Sequence, residues 1–333
     1  MVSMKDIARK CGVSVATVSK ALNGNPGIGE ETRQRICAAS EEMGYMANSA
    51  ARALKTHRTY NLGVLFVDEK RSGLGHEYFS AMLESLKDEA EKHGYDITFI
   101  NSNVAGKPLS YVQHCRYRGV DGVVIACVDF TDPRVVELAE SDIPLVTIDH
   151  IYPHRNAVLS DNVNGVDCLV RHAFQKGHRR IAFLHGEDST VTKERLTGFW
   201  LACHDLGIPV RPEYLVSCVY HDPRRCEAAT RQLISLPNPP TCILFPDDFS
   251  FIGGYHVLAC AGLSIPEDIS VMGYDGIHLA RMMRLSTYSQ NADRIGRTAV
   301  ERLIRLIENP DNTPVEHILV HGELLPGVTV KQL

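Results

Sequence analysis

The sequence predicts two fold classes in one chain: a small all-α helix-turn-helix head, then an α/β body of two parallel-sheet lobes. Three observations predict this. The first sixty residues hold short helical segments broken by glycine. The remainder alternates apolar strand-like runs with helical patterns, and that rhythm starts again near residue 160. The formal charge is divided in the same way. Residues 1–58 hold nine Lys or Arg (5, 9, 10, 20, 33, 35, 52, 55, 58) against five acids (6, 30, 31, 41, 42), a net of +4, so the rest of the chain carries −9 of the overall −5. A basic head on an acidic body is the charge pattern of a nucleic-acid reader joined to a part that stays off nucleic acid.

Length and composition set the frame. A chain of 333 residues with 44% hydrophobic and 23% charged residues is an ordinary globular balance, suited to roughly two or three domains. The longest charge-free stretch, Phe249 to Pro266, is interrupted by Ser250, Gly253, Gly254, His256, Gly262 and Ser264 and is too polar for a membrane span. The opening Met1-Val2-Ser3-Met4-Lys5 lacks the apolar core of a signal peptide. Ten cysteines are scattered without a Cys-x-x-Cys pair, which predicts reduced thiols and a cytoplasmic protein.

The head is read element by element. Ser3 and Asp6 form a capping box that opens a first helix with Ile7, Ala8 and Cys11 on one face. Gly12-Val13 breaks it, and Ser14 caps a second helix whose buried stripe is Val18, Ala21 and Leu22. Val15, Ala16, Ser19 and Lys20 share another face. A third helix starts near Glu30, turns Thr32, Ile36, Ala39 and Met43 inward and ends at Gly44. An ordinary helical bundle would carry Glu and Lys on its outer face. The second helix instead shows small residues and one lysine, slim enough for a major groove and with hydroxyls for phosphates.

Lys5-Asp6-Ile7-Ala8, followed by Gly12-Val13-Ser14-Val15-Ala16-Thr17-Val18-Ser19-Lys20-Ala21-Leu22-Asn23, resembles the head of the LacI/GalR family of bacterial transcription regulators. The resemblance implies that Val15, Ala16 and Lys20 face base edges and that Thr17, Ser19 and Asn23 hold phosphates. Lys20 stands where the family commonly has arginine, an ammonium point charge in place of a planar fork. The segment Asn48-Ser49-Ala50-Ala51-Arg52-Ala53-Leu54-Lys55 resembles the family's hinge helix, which implies that Leu54 wedges into a minor groove. Ala47 replaces the usual proline at its entry.

In the body, strands are predicted at Leu62–Val67, Ile97–Ile100, Gly122–Ala126 and Leu145–Ile148, with a helix from Phe79 to His93 closed by Gly94. Beyond residue 160 the pattern predicts a helix over 164–176, a strand at Ile181–Leu184, a helix over 193–206 and strands at Cys242–Phe245 and Ile269–Met272. Near-continuous apolar strands between helices mean parallel sheets covered on both faces, which bind ligands beyond the carboxyl ends of their strands. Aspartates collect at those ends: Asp149, Asp161, Asp247 with Asp248, and Asp275. Any one of them could simply cap the next helix, but two facing sheets would aim several into one cleft. Carboxylates and an arginine around an aromatic suit hydroxyl-rich ligands, whose OH groups both donate and accept.

Three body segments extend the resemblance: Lys176-Gly177-His178-Arg179-Arg180-Ile181-Ala182-Phe183-Leu184, Arg195-Leu196-Thr197-Gly198-Phe199 and Asp268-Ile269-Ser270-Val271-Met272-Gly273-Tyr274-Asp275. They are similar to family blocks on a periplasmic-binding-protein-like core. The resemblance implies that Arg195 grips the effector with help from Asp247 and Asp275, that Tyr220 stacks on it, and that Phe79, Asp149, Asp161 and Gln290 line the rest. Asp247 stands where the family often has asparagine, and Gly276 where it has a second aspartate. His76 and Tyr78 are read either as first-sheet contacts or as a surface loop.

The expected domains are 1–46 (helix-turn-helix), 47–60 (hinge helix and linker) and 61–333 (effector binding and dimerisation), the last with a first lobe over about 61–160 and 291–322 and a second over about 161–290 and 323–333. An enzyme is disfavoured. Gly73-Leu74-Gly75 lacks the third glycine of a dinucleotide loop because Tyr78 sits there, no phosphate-loop or zinc spacing occurs, and His185-Gly186-Glu187 has no matching Pro-Cys-x-x-Cys. No cofactor or metal is expected. The expected partners are palindromic double-stranded operator DNA, a small-molecule effector with a sugar favoured, and a second copy of the chain, with no membrane. A chain ending at Leu333 without a leucine-heptad tail suits a dimer. The alternatives are a purine, nucleoside or amino-acid effector, an activator, and a solute-binding protein that does not bind DNA.

Overall fold

The computed structural model describes residues 2–45, 58–67 and 75–333. The chain divides into two compact units, Met1–Thr59 and Tyr60–Leu333.

The first unit holds α1 (Met4–Cys11), α2 (Val15–Leu22) and α3 (Glu30–Glu42). The Ser3 amide donates to Asp6 Oδ2 at 2.9 Å, Gly12 leaves α1 in a left-handed conformation (φ 61°), and Ser14 Oγ accepts from the Thr17 amide at 3.1 Å to start α2. Ile7, Ala8, Val18, Ala21, Ile36 and Ala39 form the core. The other predicted inward residues, Cys11, Leu22, Thr32 and Met43, are only half-buried. The eight-residue α1 and α2 turn two residues each fully inward, so Cys11 and Leu22 end at the rim, and Thr32 and Met43 lie at the two ends of the thirteen-residue α3. The hinge-helix segment Asn48–Lys55, its entry Ala47 and the wedge Leu54 lie outside the described residues.

The second unit is built on two six-stranded sheets. The first runs in the order β13-β7-β6-β5-β1-β2 and is parallel throughout: β1 (Asn61–Phe66), β2 (Asp96–Phe99), β5 (Gly122–Ala126), β6 (Leu145–Ile148), β7 (Asn156–Ser160) and β13 (His317–Val320). The second runs β14-β12-β11-β10-β8-β9: β8 (Ile181–His185), β9 (Leu215–Ser217), β10 (Cys242–Leu244), β11 (Ser270–Asp275), β12 (Ser286–Ser289) and an antiparallel edge β14 (Glu323–Leu325). A two-stranded hairpin, β3 (Asn103–Val104) with β4 (Lys107–Pro108), lies outside both sheets. The central strands β5 and β6 are buried along their whole length because helices cover both faces, which is why they read as unbroken apolar runs.

Helix α4 (Glu77–Lys92) and the long α12 (Ala292–Glu308) pack on the first sheet, with Met82, Leu86, Ile295, Ala299 and Leu303 in the shared core. On the second sheet α7 (Asn162–Gln175) lies against α8 (Thr190–Asp205), with Val166, Leu169, Phe199 and Ala202 between them and the strands. The chain therefore passes between the sheets three times: from β7 into α7, from β12 into α12, and from β13 into β14.

The body elements lie where the sequence places them, with shifted helix starts. The helix predicted from 164 opens at Asn162 because Asp161 caps it, accepting from the Asn164 amide at 3.3 Å, and the one predicted from 193 opens at Thr190 behind the cap Ser189. Strand β12 carries no apolar run. Its Ser-Thr-Tyr-Ser is buried because side-chain hydrogen bonds satisfy it, among them Thr287 Oγ1 donating to Asp248 Oδ1 at 2.7 Å. The charge-free stretch after Phe249 contains α10 (Phe251–Cys260), which packs on α9 (Pro223–Ile234).

Helices α7 and α8 approach closely at Gly198. A methyl group there would lie 2.2 Å from the Val163 carbonyl oxygen, on backbone that cannot turn aside. Gly198→Ala is expected to destabilise the body by about 2 kcal/mol through overpacking, read as a lower urea midpoint with helical circular dichroism retained. An unchanged midpoint would show that the two helices separate without cost.

Candidate functional site

In the head, α2 turns Val18 and Ala21 inward, so the 100° step places Val15, Ala16 and Lys20 outward, and all three are exposed. Thr17 and Ser19 are half-buried beside them. The Thr17 hydroxyl bonds Ser14 Oγ at 2.9 Å, and Asn23 Nδ2 donates to the Ser19 carbonyl at 2.5 Å. Lys20 has no ion-pair partner among the described residues. Two small apolar side chains and one cation on a slim face have the shape and chemistry of a base-edge reader.

In the body, the strand ends gather around Arg195, a buried residue of α8. Its Nε donates to Asn162 Oδ1 at 2.9 Å and one terminal nitrogen to the Pro246 carbonyl at 2.9 Å, while the other lies 4.0 Å from Asp275 Oδ1. The guanidinium sits 3.7 Å from the Tyr274 ring centre and 5.2 Å from that of Tyr220. Burial acts to lower its pKa, but Tyr220, Tyr274 and Asp275 outweigh that and hold it above its ordinary value, so it is a permanent cation.

The carboxylates divide into two kinds. Asp275, at the end of β11, is only 8% exposed and adopts φ 106°; Gln290 Nε2 donates to it at 2.6 Å. Burial pushes its carboxyl well above the usual range, while Arg195 pulls the other way. Asp149 also adopts a left-handed backbone (φ 57°) and accepts from the Ser160 amide at 2.6 Å and its hydroxyl at 3.0 Å; burial raises its pKa too. Left-handed backbone at aspartates of two facing strand ends is the kind of local strain that collects at binding sites.

Asp161 and Asp247 are engaged elsewhere. Asp161 caps α7 and lies 2.6 Å from His321 Nδ1. Asp247 accepts from the His221 amide at 2.8 Å and from the Ser250 amide and hydroxyl at 2.6 and 2.8 Å, so it shapes the loop carrying Tyr220 and His221. Neighbouring Asp248 is fully buried and accepts from the Gly276 and Ile277 amides at 2.8 and 3.0 Å as well as from Thr287.

The Tyr220 hydroxyl bonds Thr192 Oγ1 at 2.9 Å, and its ring lies so close to Gly186 that a Cβ there would stand 2.0 Å from it. Phe79 is half-buried, its ring 5.4 Å from Phe66 and 4.5 Å from His76. His76 meets His221 edge to face at 4.0 Å, and His221 meets Phe249 at 3.9 Å. Among the described residues no group of His, Cys, Asp and Glu is placed to hold a metal ion, and no helix is long and apolar enough to cross a membrane.

Residues 59–323 match the family described as periplasmic binding proteins and sugar binding domain of LacI family, and residues 3–48 match bacterial regulatory proteins of the lacI family. The chain belongs to the LacI family. It is a DNA-binding transcriptional regulator of that family and not an enzyme. Relatives include the "Probable HTH-type transcriptional repressor ExuR" of Bacillus subtilis (30% identical over 338 residues, 100% of this chain and 99% of that one). The ribose operon repressor of Haemophilus influenzae is 30% identical over 317 residues and 93% of each chain. The HTH-type transcriptional repressor PurR of Mannheimia succiniciproducens is 27% identical over 340 residues and 100% of each. The solved lac repressor dimer bound to operator and the anti-inducer ONPF shares the fold with a TM-score of 0.82 over 99% of each chain, at 24% identity.

Within this LacI-family chain, the sequence points to Arg195, Asp149, Asp275, Tyr220 and Gln290, and also to Phe79, Asp161 and Asp247. It does not point to Asn162, Tyr274 or His221, and it leaves Tyr78 undecided. Tyr274 sits beside Asp275 in an apolar strand and reads as core. Asn162 follows the cap Asp161 and reads as the start of a helix. Only the approach of α7 to α8 shows that Asn162 holds Arg195.

Proposed function

We propose that the protein is a cytoplasmic, homodimeric repressor of carbohydrate-utilisation genes that binds a palindromic operator and answers to a small molecule, a sugar or sugar derivative, held between its two sheets. In each copy Val15, Ala16 and Lys20 read base edges, Thr17, Ser19 and Asn23 hold phosphates, and Leu54 wedges the minor groove. Arg195, Asp149, Asp275, Gln290 and Tyr220 hold the effector, with Phe79 at the rim and Asp161 and Asp247 shaping the surrounding turns. The observation that carries this reading is the cleft around Arg195. A buried guanidinium, two aspartates, an amide and a tyrosine face offer donors, acceptors and an apolar plane together, which matches a sugar ring. Closing the two lobes on a ligand would change the geometry presented to the head, a coupling of typically about 1–3 kcal/mol.

A second reading, a purine or nucleoside effector, is supported by the relatives named PurR and by the rings of His76, His221 and Phe249, which suit a planar base. Thermal unfolding against D-ribose, D-glucose, D-galacturonate, hypoxanthine and guanine separates the two. A shift with one sugar supports the first reading, a shift confined to the purines moves the effector to the second, and no shift removes both.

The head is tested with selected operator sequences. Lys20→Ala is expected to weaken specific binding at least about tenfold with little change on random DNA at the same salt, because a base-edge contact is worth roughly 1–3 kcal/mol. Equal loss on both DNAs would make Lys20 a phosphate contact.

A further inference from the structure

A cavity of about 500 Å³ adjoins Asp275, and none of Arg195, Asp149, Asp247 and Tyr220 lines it. Its walls are the start of α4, the end of β11 with α11 (His278–Met283), and the passages from β12 into α12 and from β13 into β14. The charged groups around it are unbalanced. Glu77, Asp275, Asp293 and Glu323 line the space against one arginine, Arg281. Asp293 is paired with Arg297 on its own helix, and one Glu77 oxygen accepts from the His278 amide across the two lobes. The second Glu77 oxygen and the Glu323 carboxylate take no hydrogen bond among the described residues.

Two lining groups are more than nine-tenths buried and still hold an unmet oxygen. The Asp275 side chain is 8% exposed; Gln290 and Arg195 both approach its Oδ1, at 2.6 and 4.0 Å, and Oδ2 receives no hydrogen bond among the described residues. Tyr78 is 6% exposed, and its hydroxyl has no hydrogen-bond partner. Buried polar groups left unpaired are costly and uncommon, so two of them beside one cavity mark a place that a ligand completes.

The excess of acceptors selects the ligand's chemistry. An ammonium carries three N–H donors and no acceptor, whereas an anion would meet carboxylates on three walls. Burial holds the Asp275 carboxyl well above its usual range, and Arg195 pulls it down. A second cation near Oδ2 adds to that pull.

We propose that this cavity is a cation subsite adjoining the effector cleft, which takes the primary ammonium group of a small ligand, an amino sugar or a diamine, on Asp275 Oδ2, Glu77 and Tyr78. A bound amine joins α4 of the first lobe to β11 of the second. The two sites share Asp275, and the inference rests on the reading of the Arg195 cleft through that residue alone.

The test is thermal unfolding of the full chain with D-glucosamine and putrescine, against D-glucose and N-acetyl-D-glucosamine, which lack the ammonium, at one ionic strength. At several times its dissociation constant an amine is expected to raise the melting temperature by roughly 2–4 °C, and each neutral sugar to give under half that shift. A response to glucosamine alone assigns the subsite to an amino sugar, and a response to putrescine assigns it to the bare amine. Glu77→Gln keeps an oxygen for the His278 amide, removes the charge and should weaken amine binding about tenfold. No shift with either amine, an equal shift with N-acetyl-D-glucosamine, or full amine affinity in Glu77→Gln overturns the proposal.

If Glu77→Gln does not fold, Arg281→Gln at an exposed position supplies the reading. It removes the like charge and should tighten amine binding about two- to threefold, a gain that damage to the fold does not mimic. Unchanged or weaker binding there overturns the proposal. The two ideas fail separately. A panel sugar that stabilises the protein through Arg195 while neither amine does so removes the cation subsite alone. An amine shift that persists in Arg195→Ala, with no panel compound bound, removes the effector reading alone.

Discussion

Asp248→Ala is expected to destabilise the body by about 3 kcal/mol at neutral pH, a loss far larger than surface substitutions produce. The carboxylate is fully buried and is the acceptor for the Gly276 amide, the Ile277 amide and the Thr287 hydroxyl, so alanine strands all three donors. Nothing larger than glycine fits opposite it, since a Cβ on Gly273 would stand 2.0 Å from Asp248 Oδ1.

Asparagine is the informative contrast. Its oxygen can keep the two amides, and its NH2 can donate to the Thr287 oxygen. Burial pushes the Asp248 carboxyl up to about 7, so the folded state binds a proton more tightly than the unfolded chain does. Its contribution to stability is full below about pH 4 and is lost as pH rises through about 7. Asp149 and Asp275, also raised by burial, act in the same direction. The wild type should therefore gain stability as pH falls from 7.5 to 5.5. Asp248→Asn should be at least as stable as the wild type at pH 7.5 and show a shallower slope, measured by urea unfolding at several pH values. An unchanged slope would assign the acid stabilisation to Asp149 and Asp275.

Arg195→Ala is expected to weaken effector binding at least about thirtyfold, since truncating one partner of a buried, hydrogen-bonded charged set costs about 2–5 kcal/mol. The guanidinium joins α8 to α7 through Asn162 and to the loop after β10 through Pro246, and it is the cation facing Asp275. Removing it also leaves Asp275 with only the Gln290 hydrogen bond to oppose its burial, so that carboxyl stays neutral up to higher pH. Arg195→Lys keeps the charge but loses the planar fork and the contact with Tyr274, and should recover little binding. The ligand-induced thermal shift reads the loss, and operator binding without effector should be unchanged in both variants. Full retention of the shift in Arg195→Ala would move the effector site away from this cleft.

Much of the candidate site was legible because strand ends and short motifs are local. Asp149 and Asp275 follow apolar runs directly, and Arg195 stands in a recognisable block. Asp161 and Asp247 show the limit of that reasoning. Position after a strand is shared by ligand-facing carboxylates and by carboxylates that cap helices or brace turns, and only the hydrogen-bond partners distinguish them. Tyr78 shows the opposite case. In sequence it reads either as a first-sheet contact or as a residue of a surface loop, and it is buried because α4 begins at Glu77 and turns it inward.

The sequence by itself determined the two-part architecture, the helix-turn-helix spacing, the parallel sheets and the family, because helix caps, apolar periodicity and charge asymmetry are encoded within a few residues of where they act. Tertiary structure alone decided that Asp275 faces Arg195, that Asn162, Tyr274 and Pro246 hold the guanidinium in place, and that Tyr78 is buried beside a cavity it lines together with Asp275. The physical reason is sequence distance. Those contacts join residues from five separate segments of the chain, brought together by three passages between two sheets, and no pattern along the chain records which side chain finally faces which.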